Sequence, residues 1–253
     1  MRYFIHLAYN GTRFSGWQIQ PNASTIQGAL TEVLQQLLGE EINIVGAGRT
    51  DSGVHATNYF AHFETEKEIS TIDFCYKLNR MLPPDIVIFN IQPVADNMHA
   101  RFSATARTYT YTITQEKNPF AQETEYYYPF NLNIESMNEA CKLLLGTQDF
   151  TSFSKLHTDV NNNICTITSA QWEQKDKKLL FTISANRFLR NMVRAIVGTM
   201  INVGRNKISL ADFSAIIQSK NRQMAGMSIP ACGLCLCDIQ YTDQKNIQAV
   251  HIE

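Results

Sequence analysis

The sequence predicts an α+β chain of two ferredoxin-like α/β halves that share one mixed, mainly antiparallel sheet. Three observations predict it. Hydrophobic periodicity over the first hundred residues switches in the order β-α-β-β-α-β, which is the ferredoxin-like order. The second half repeats the mixture of strands and helices. No intervening stretch is rich enough in Pro, Gly or Ser to act as a free linker, so the halves share a continuous sheet. The division falls between residues 1–103 and 104–253, and 253 residues suffice for two packed halves.

Each element of the first half has its own signal. Tyr3 to Tyr9 alternates as a strand and ends in the turn-rich stretch from Asn10 to Asn22. A helix follows, with Ser24 as N-cap and Gln27 closing a capping box. Its apolar face is Ile26, Leu30, Val33, Leu34, Leu37 and Leu38, and Gly39 stops it. Glu41 to Val45 and Thr57 to Phe63 read as strands. Ile72 to Met81 reads as a helix stopped by Pro83-Pro84, and Ile86 to Ile91 as a strand.

In the second half, Thr108 to Thr114 reads as a strand. Asn133 to Leu145 reads as a helix with Met137, Cys141, Leu144 and Leu145 inward. Ile164 to Trp172 and Leu179 to Ser184 pair around the polar Gln174 to Lys178. A long helix covers Arg187 to Val203, and another starts at Ser209 with Asp212 as its capping-box partner. Leu234 to Tyr241 closes as a strand. Tyr126, Tyr127 and Tyr128 read as strand packing.

Composition narrows the class. Apolar residues are 44% and charged residues 18% of the chain, which excludes a disordered polymer. No apolar run approaches the roughly 20 residues that span a bilayer. His6 interrupts the short apolar start, which argues against a secretory signal. The expectation is a soluble, cytoplasmic protein with no membrane partner and with its six cysteines reduced. Cys232, Cys235 and Cys237 lack a second Cys/His cluster at zinc spacing, so no metal is expected. There is no P-loop and no dinucleotide fingerprint, and no cofactor is expected.

Net charge is −1, but its distribution is uneven. From Ile183 to Arg222 the chain carries Arg187, Arg190, Arg194, Arg205, Lys207, Lys220 and Arg222 against Asp212 alone. In the predicted long helix, Arg187, Arg190 and Arg194 fall at i, i+3 and i+7 on one side. They are either a solvated face or a row of guanidiniums for RNA phosphates, and the missing acids favour the second.

The densest chemistry lies in Gly46-Ala47-Gly48-Arg49-Thr50-Asp51-Ser52-Gly53-Val54-His55-Ala56. Glycines bracket an arginine and an aspartate on a turn between strands. An Asp beside an Arg stays ionised and can act as nucleophile or base. His55 reads as a structural hydrogen-bonder. Trp17 either stacks on RNA or packs its turn.

This stretch resembles the catalytic motif of the tRNA pseudouridine synthase A family (TruA). Tyr9-Asn10-Gly11, Phe14-Ser15-Gly16-Trp17-Gln18, Thr25-Ile26-Gln27, His99-Ala100-Arg101-Phe102-Ser103-Ala104 and Arg107-Thr108-Tyr109-Thr110-Tyr111 are similar to further family segments. So are Asp149-Phe150-Thr151-Ser152-Phe153, Met192-Val193-Arg194 with Ile196-Val197-Gly198, and Gly233-Leu234 with Leu236. Asn10 stands where the family usually has Asp, in a turn that accepts either. The resemblance implies the pseudouridine synthase fold with a central cleft. It implies Asp51 as catalytic nucleophile, Tyr109 against the target uracil, and Arg49 paired with Asp51. It places Arg194 in the cleft and Leu234 in the pocket wall. It also implies a homodimer acting on uridines 38 to 40 of the tRNA anticodon stem-loop.

Two other classes compete. A non-catalytic RNA-binding protein on the same scaffold is opposed by the joint presence of Arg49, Asp51 and Tyr109. An aspartic protease, suggested by Asp51-Ser52-Gly53, needs a second such carboxylate, and no second D-S-G or D-T-G occurs.

Overall fold

The computed structural model describes residues 1–155 and 162–242. The elements run β1 (Arg2–Tyr9), α1 (Ile26–Leu38), β2 (Val45–Gly46), β3 (His55–Glu64), α2 (Thr71–Met81), β4 (Ile86–Val94), β5 (Ala104–Thr114) and β6 (Tyr126–Tyr127). They continue as α3 (Ile134–Lys142), β7 (Gly146–Asp149), β8 (Ile164–Lys175), β9 (Lys178–Ala185), α4 (Met192–Gly204), α5 (Leu210–Ser219) and β10 (Leu234–Tyr241). The class is α+β, as the periodicity predicts. There are two compact units: Met1–Thr105 with the chain from Leu236, and Ala106–Cys235. The sequence placed the division at 103/104 and kept the chain end in the second half.

In the first unit β1 lies between β4 and β3, antiparallel to both, and β2 pairs antiparallel with β3. This is the split arrangement that the β-α-β-β-α-β order requires. Alternation on β1 sends Tyr3, Ile5, Leu7 and Tyr9 to one buried face. α1 contributes Ile26, Leu30, Val33, Leu34 and Leu38 to the core, and α2 contributes Phe74 and Leu78. Tyr241 of β10 packs edge-on against Phe4 and Phe60, and its hydroxyl donates to the Ala100 carbonyl at 2.7 Å.

α1 departs from its predicted cap. Thr25, not Ser24, is the N-cap, and its side chain accepts from the Gly28 amide. The next two amides of the helix, Ile26 and Gln27, donate to the Gly16 and Trp17 carbonyls. The opening loop therefore satisfies the helix end, and Gln27 is released from capping. Its amide group reaches the Ile44 carbonyl and accepts from the Ile19 amide instead. The strand expected over Glu41 to Val45 shrinks to Val45–Gly46.

In the second unit β5 pairs with β9, β9 with β8 and β8 with β7, all antiparallel, while β6 adds to β5 in parallel. The β8–β9 hairpin forms where expected, turning through Asp176 at φ 54°. α3 ends at Lys142, and Leu145, expected inward, is 43% exposed. β7 was not foreseen, because Gly146-Thr147-Gln148-Asp149 carries no apolar alternation. The Ser209–Asp212 capping box forms as expected.

The predicted long helix changes most. It starts at Met192, not Arg187, because Asn191 takes the left-handed conformation at φ 66° and serves as N-cap. Nearly every α4 residue is buried, including Ala195, Ile196, Val197, Gly198, Thr199 and Met200. A helix apolar all round sits inside a fold, so α4 presents no solvated arginine face. No helix among the described residues is long and apolar enough to cross a membrane.

Candidate active site

In the first unit the candidate nucleophile sits on a fastened loop. Residues Asp51 to Val54 form a β-turn closed by the Val54 amide on the Asp51 carbonyl at 3.2 Å, with Gly53 at φ 76° in the position that needs positive φ. The opening segment holds the loop from the other side. Trp17 donates its amide to the Thr50 carbonyl at 3.3 Å, Gly53 donates to the Phe14 carbonyl at 3.2 Å, and the Ser52 hydroxyl donates to the same Phe14 carbonyl at 3.3 Å. The Thr50 hydroxyl pairs with the Tyr9 hydroxyl at 3.0 Å. Residue 16 admits only glycine here: a β-carbon would stand 2.3 Å from the Thr50 carbonyl oxygen.

The flanking residues serve the same end. His55 is buried and accepts the Gly11 amide at Nδ1, 3.1 Å, the structural role expected of it. Tyr59 binds both the amide and the carbonyl of Gly48 through its hydroxyl. Trp17 is 3% exposed and packs on Tyr59 at 4.3 Å, so of its two readings the structure supports turn packing. Asp51 remains half-buried at the loop's tip, while Arg49 is exposed.

In the second unit Tyr109 lies on β5 opposite Ile183 of β9. The Phe188 ring meets it edge-on at 5.1 Å. Phe188, which falls inside the helix expected over Arg187 to Val203, is instead the neighbour of Tyr109 on the loop before α4. Two residues on, Tyr111 is buried and donates to the Pro230 carbonyl at 2.8 Å, and burial pushes its phenol well above the ordinary range. Leu234 is 5% exposed at the start of β10. Arg194, on the first turn of α4, is half-buried and donates Nε to the Ile229 carbonyl at 2.7 Å.

The basic residues of this segment differ in exposure and in partners. Arg187 is half-buried and donates to the Asn162 carbonyl at 3.3 Å, whereas Arg190 is exposed. Arg205 lies over Phe130 at 4.5 Å, Lys220 pairs with Asp149 at 3.2 Å, and Arg222 donates to the Gly226 carbonyl at 3.1 Å. Carbonyls and a ring therefore replace most of the missing acids, which charge counting could not reveal. Among the described residues no group of three or more His, Cys, Asp or Glu side chains is placed to hold a metal ion.

The family described as tRNA pseudouridine synthase matches residues 6–103 and 140–242, which include Asp51, Arg194 and Leu234. A "tRNA pseudouridine synthase A" of Parabacteroides distasonis is 52% identical over 244 residues, covering 96% of this chain and 97% of the relative. One from Bacteroides thetaiotaomicron is 49% identical over 245 residues, covering 96% and 91%. A "tRNA pseudouridine synthase A 2" of Clostridium perfringens is 43% identical over 239 residues, covering 94% and 98%. With such agreement from end to end, the chain belongs to the tRNA pseudouridine synthases, isomerases that convert uridine to pseudouridine.

Proposed function

We propose that this chain isomerises uridine to pseudouridine at positions 38 to 40 of the tRNA anticodon stem-loop, with Asp51 as nucleophile. The observation that carries the reading is the seating of Asp51: a half-buried carboxylate whose backbone is tied on both sides to the opening segment and to its own turn. A nucleophile must be held still relative to its target, and this loop has little freedom to move. The reaction breaks the C1′–N1 bond and forms C1′–C5, with no change of redox state. It calls for positioned side chains rather than a redox cofactor.

The remaining roles follow from the same resemblance. Tyr109 borders the uracil, with Phe188 bracing its ring from the side. Arg49, exposed beside Asp51, helps extrude the base. A stacked base costs a few kcal/mol to flip, and Tyr and Arg stabilise the extruded state. Arg194 acts near Asp51 during turnover, and Leu234 lines the uracil pocket. Arg187 and Arg190 contact the RNA backbone. The active form is a cytoplasmic homodimer that grips one tRNA across both subunits.

The test is conversion of an unmodified tRNA transcript, mapped by pseudouridine-specific chemistry, by wild type, Asp51→Ala and Asp51→Asn. Pseudouridine in the anticodon stem from wild type alone, with tRNA binding retained by both variants, is the expected result. A folded wild type that binds tRNA and makes no product would overturn it.

A further inference from the structure

Between α5 and β10 the segment from Arg222 to Pro230 runs as a strap along α4. Gly198 lets it approach closely: a β-carbon there would stand 1.9 Å from the Met227 carbonyl oxygen. The Gly226 amide donates to the Thr199 hydroxyl at 2.9 Å. Nearer the start of α4, the Arg194 Nε donates to the Ile229 carbonyl at 2.7 Å and the Ile229 amide donates to the Arg194 carbonyl at 3.4 Å. At the N-cap, Asn191 donates its side-chain amide to the Ser228 hydroxyl. The next residue of the strap, Pro230, takes the Tyr111 hydroxyl.

One side chain ties the strap to itself. Arg222 donates Nη1 to the Gly226 carbonyl at 3.1 Å and to the Ala225 carbonyl at 3.4 Å. It donates Nη2 to the Ser228 hydroxyl at 2.9 Å, so that Ser228 is held between Arg222 and Asn191. No carboxylate among the described residues takes part. A planar guanidinium suits this work, because it spans several acceptors in a fixed fork.

We infer that Arg222 is a positioning residue for Arg194: by closing the strap through Ala225, Gly226 and Ser228, it fixes the Ile229 carbonyl that sets the plane of the Arg194 guanidinium. The catalytic half of this inference rests on the role proposed for Arg194; the structural half does not. Arg222 therefore acts through the strap and touches no reacting atom.

The test has two readouts on the full chain. The first is the side-chain Nε–H resonance of Arg194 by nitrogen-15 NMR, identified by its loss in Arg194→Lys. In wild type it is protected from solvent exchange; Arg222→Ala removes that protection, and Arg222→Lys restores part of it. The second is turnover. Misplacing one group by about 1 Å can cost 100-fold, so Arg222→Ala is expected to lower kcat about 30-fold, with KM within about twofold of wild type. In an Arg194→Ala background the same change adds little further loss, because its target is gone. Ser228→Ala, a gentler variant, is expected to move both readouts the same way, and thermal unfolding checks that each variant is folded. Unchanged Nε–H protection in folded Arg222→Ala would overturn the inference, as would a rise in KM with kcat intact, the signature of a direct RNA contact. If wild type makes no pseudouridine, the enzymatic reading fails, and the NMR readout still decides whether Arg222 holds Arg194.

Discussion

The carbonyl of Thr50 closes over Gly16, whose φ of 88° turns its backbone toward the loop, so that a β-carbon at residue 16 would stand 2.3 Å from that oxygen. Thr50 precedes Asp51, so the fit of residue 16 sets the height of the candidate nucleophile. Gly16→Ala combines a backbone clash with a conformation that L residues rarely adopt. It is expected to cost about 1–3 kcal/mol of stability and to lower turnover more than tRNA binding. Urea unfolding together with single-turnover kinetics measures both; a variant as stable and as active as wild type would show that the loop yields freely.

The edge-on contact of Phe188 with Tyr109 leads to a second expectation. Aromatic pairs of this kind contribute about 0.5–1.5 kcal/mol, so Phe188→Ala is expected to lower kcat/KM about threefold to tenfold if the contact serves the transition state. Phe188→Leu, which keeps bulk but loses the ring, falls between. Equal activity in all three proteins would mean that Tyr109 needs no brace.

Charge on the loop before α4 gives a third. Arg190 is exposed, and its neutralisation to Gln is expected to weaken tRNA binding and to reduce the slope of log affinity against log salt by about 1. Arg187, half-buried with the Asn162 carbonyl as partner, is expected to contribute less. Titrations at several salt concentrations read the slope directly; a slope unmoved by both changes would remove these residues from the RNA contact.

His62 gives a pH dependence. Its imidazole is held down to about 4 from an ordinary 6.5, first by burial, then by the nearby His99 and Arg2, with Glu64 opposing. Its Nδ1 accepts the Ala100 amide at 3.1 Å, which only the neutral ring can do. Because the folded value lies below the unfolded one, the unfolded chain takes the proton first. Stability from this group is full above pH 6.5 and falls as the pH drops toward 4. His99, also lowered chiefly by burial, acts in the same direction. The urea midpoint is expected to fall between about pH 7 and pH 4.5, and His62→Asn, which keeps an acceptor without the titration, is expected to flatten that fall. An identical pH profile in the variant would place the acid sensitivity elsewhere.

What the sequence disclosed depended on whether neighbours in sequence settle the matter. The order of elements in the first unit, the Gly39 stop and the Ser209–Asp212 box follow from local chemistry, and each formed. Ser24 failed as a cap because Gly16 and Trp17, several residues away, supply the acceptors. The helix over Arg187 to Val203 was extended by an apolar phase that Phe188 and Leu189 happen to continue. Its true start depends on the Asn191 backbone and on the contact of Phe188 with a different strand. Among the candidate site residues, the Asp51 turn was legible as a motif, but the reason for the distant glycine was not, since Gly16 and Thr50 meet only in three dimensions. The surroundings of Arg187, Arg194 and Arg222 were not legible either, because the carbonyls they donate to carry no letter in a sequence.

The return of the chain from Leu236 to the first unit has a consequence for synthesis. Phe4 and Phe60 leave the ribosome early, while Tyr241, which covers them, comes after all of residues 106–235. At ordinary elongation rates that delay is on the order of ten seconds. Throughout it the nascent first unit lacks the ring that covers Phe4 and Phe60, an interval in which that aromatic surface is open to non-native contacts.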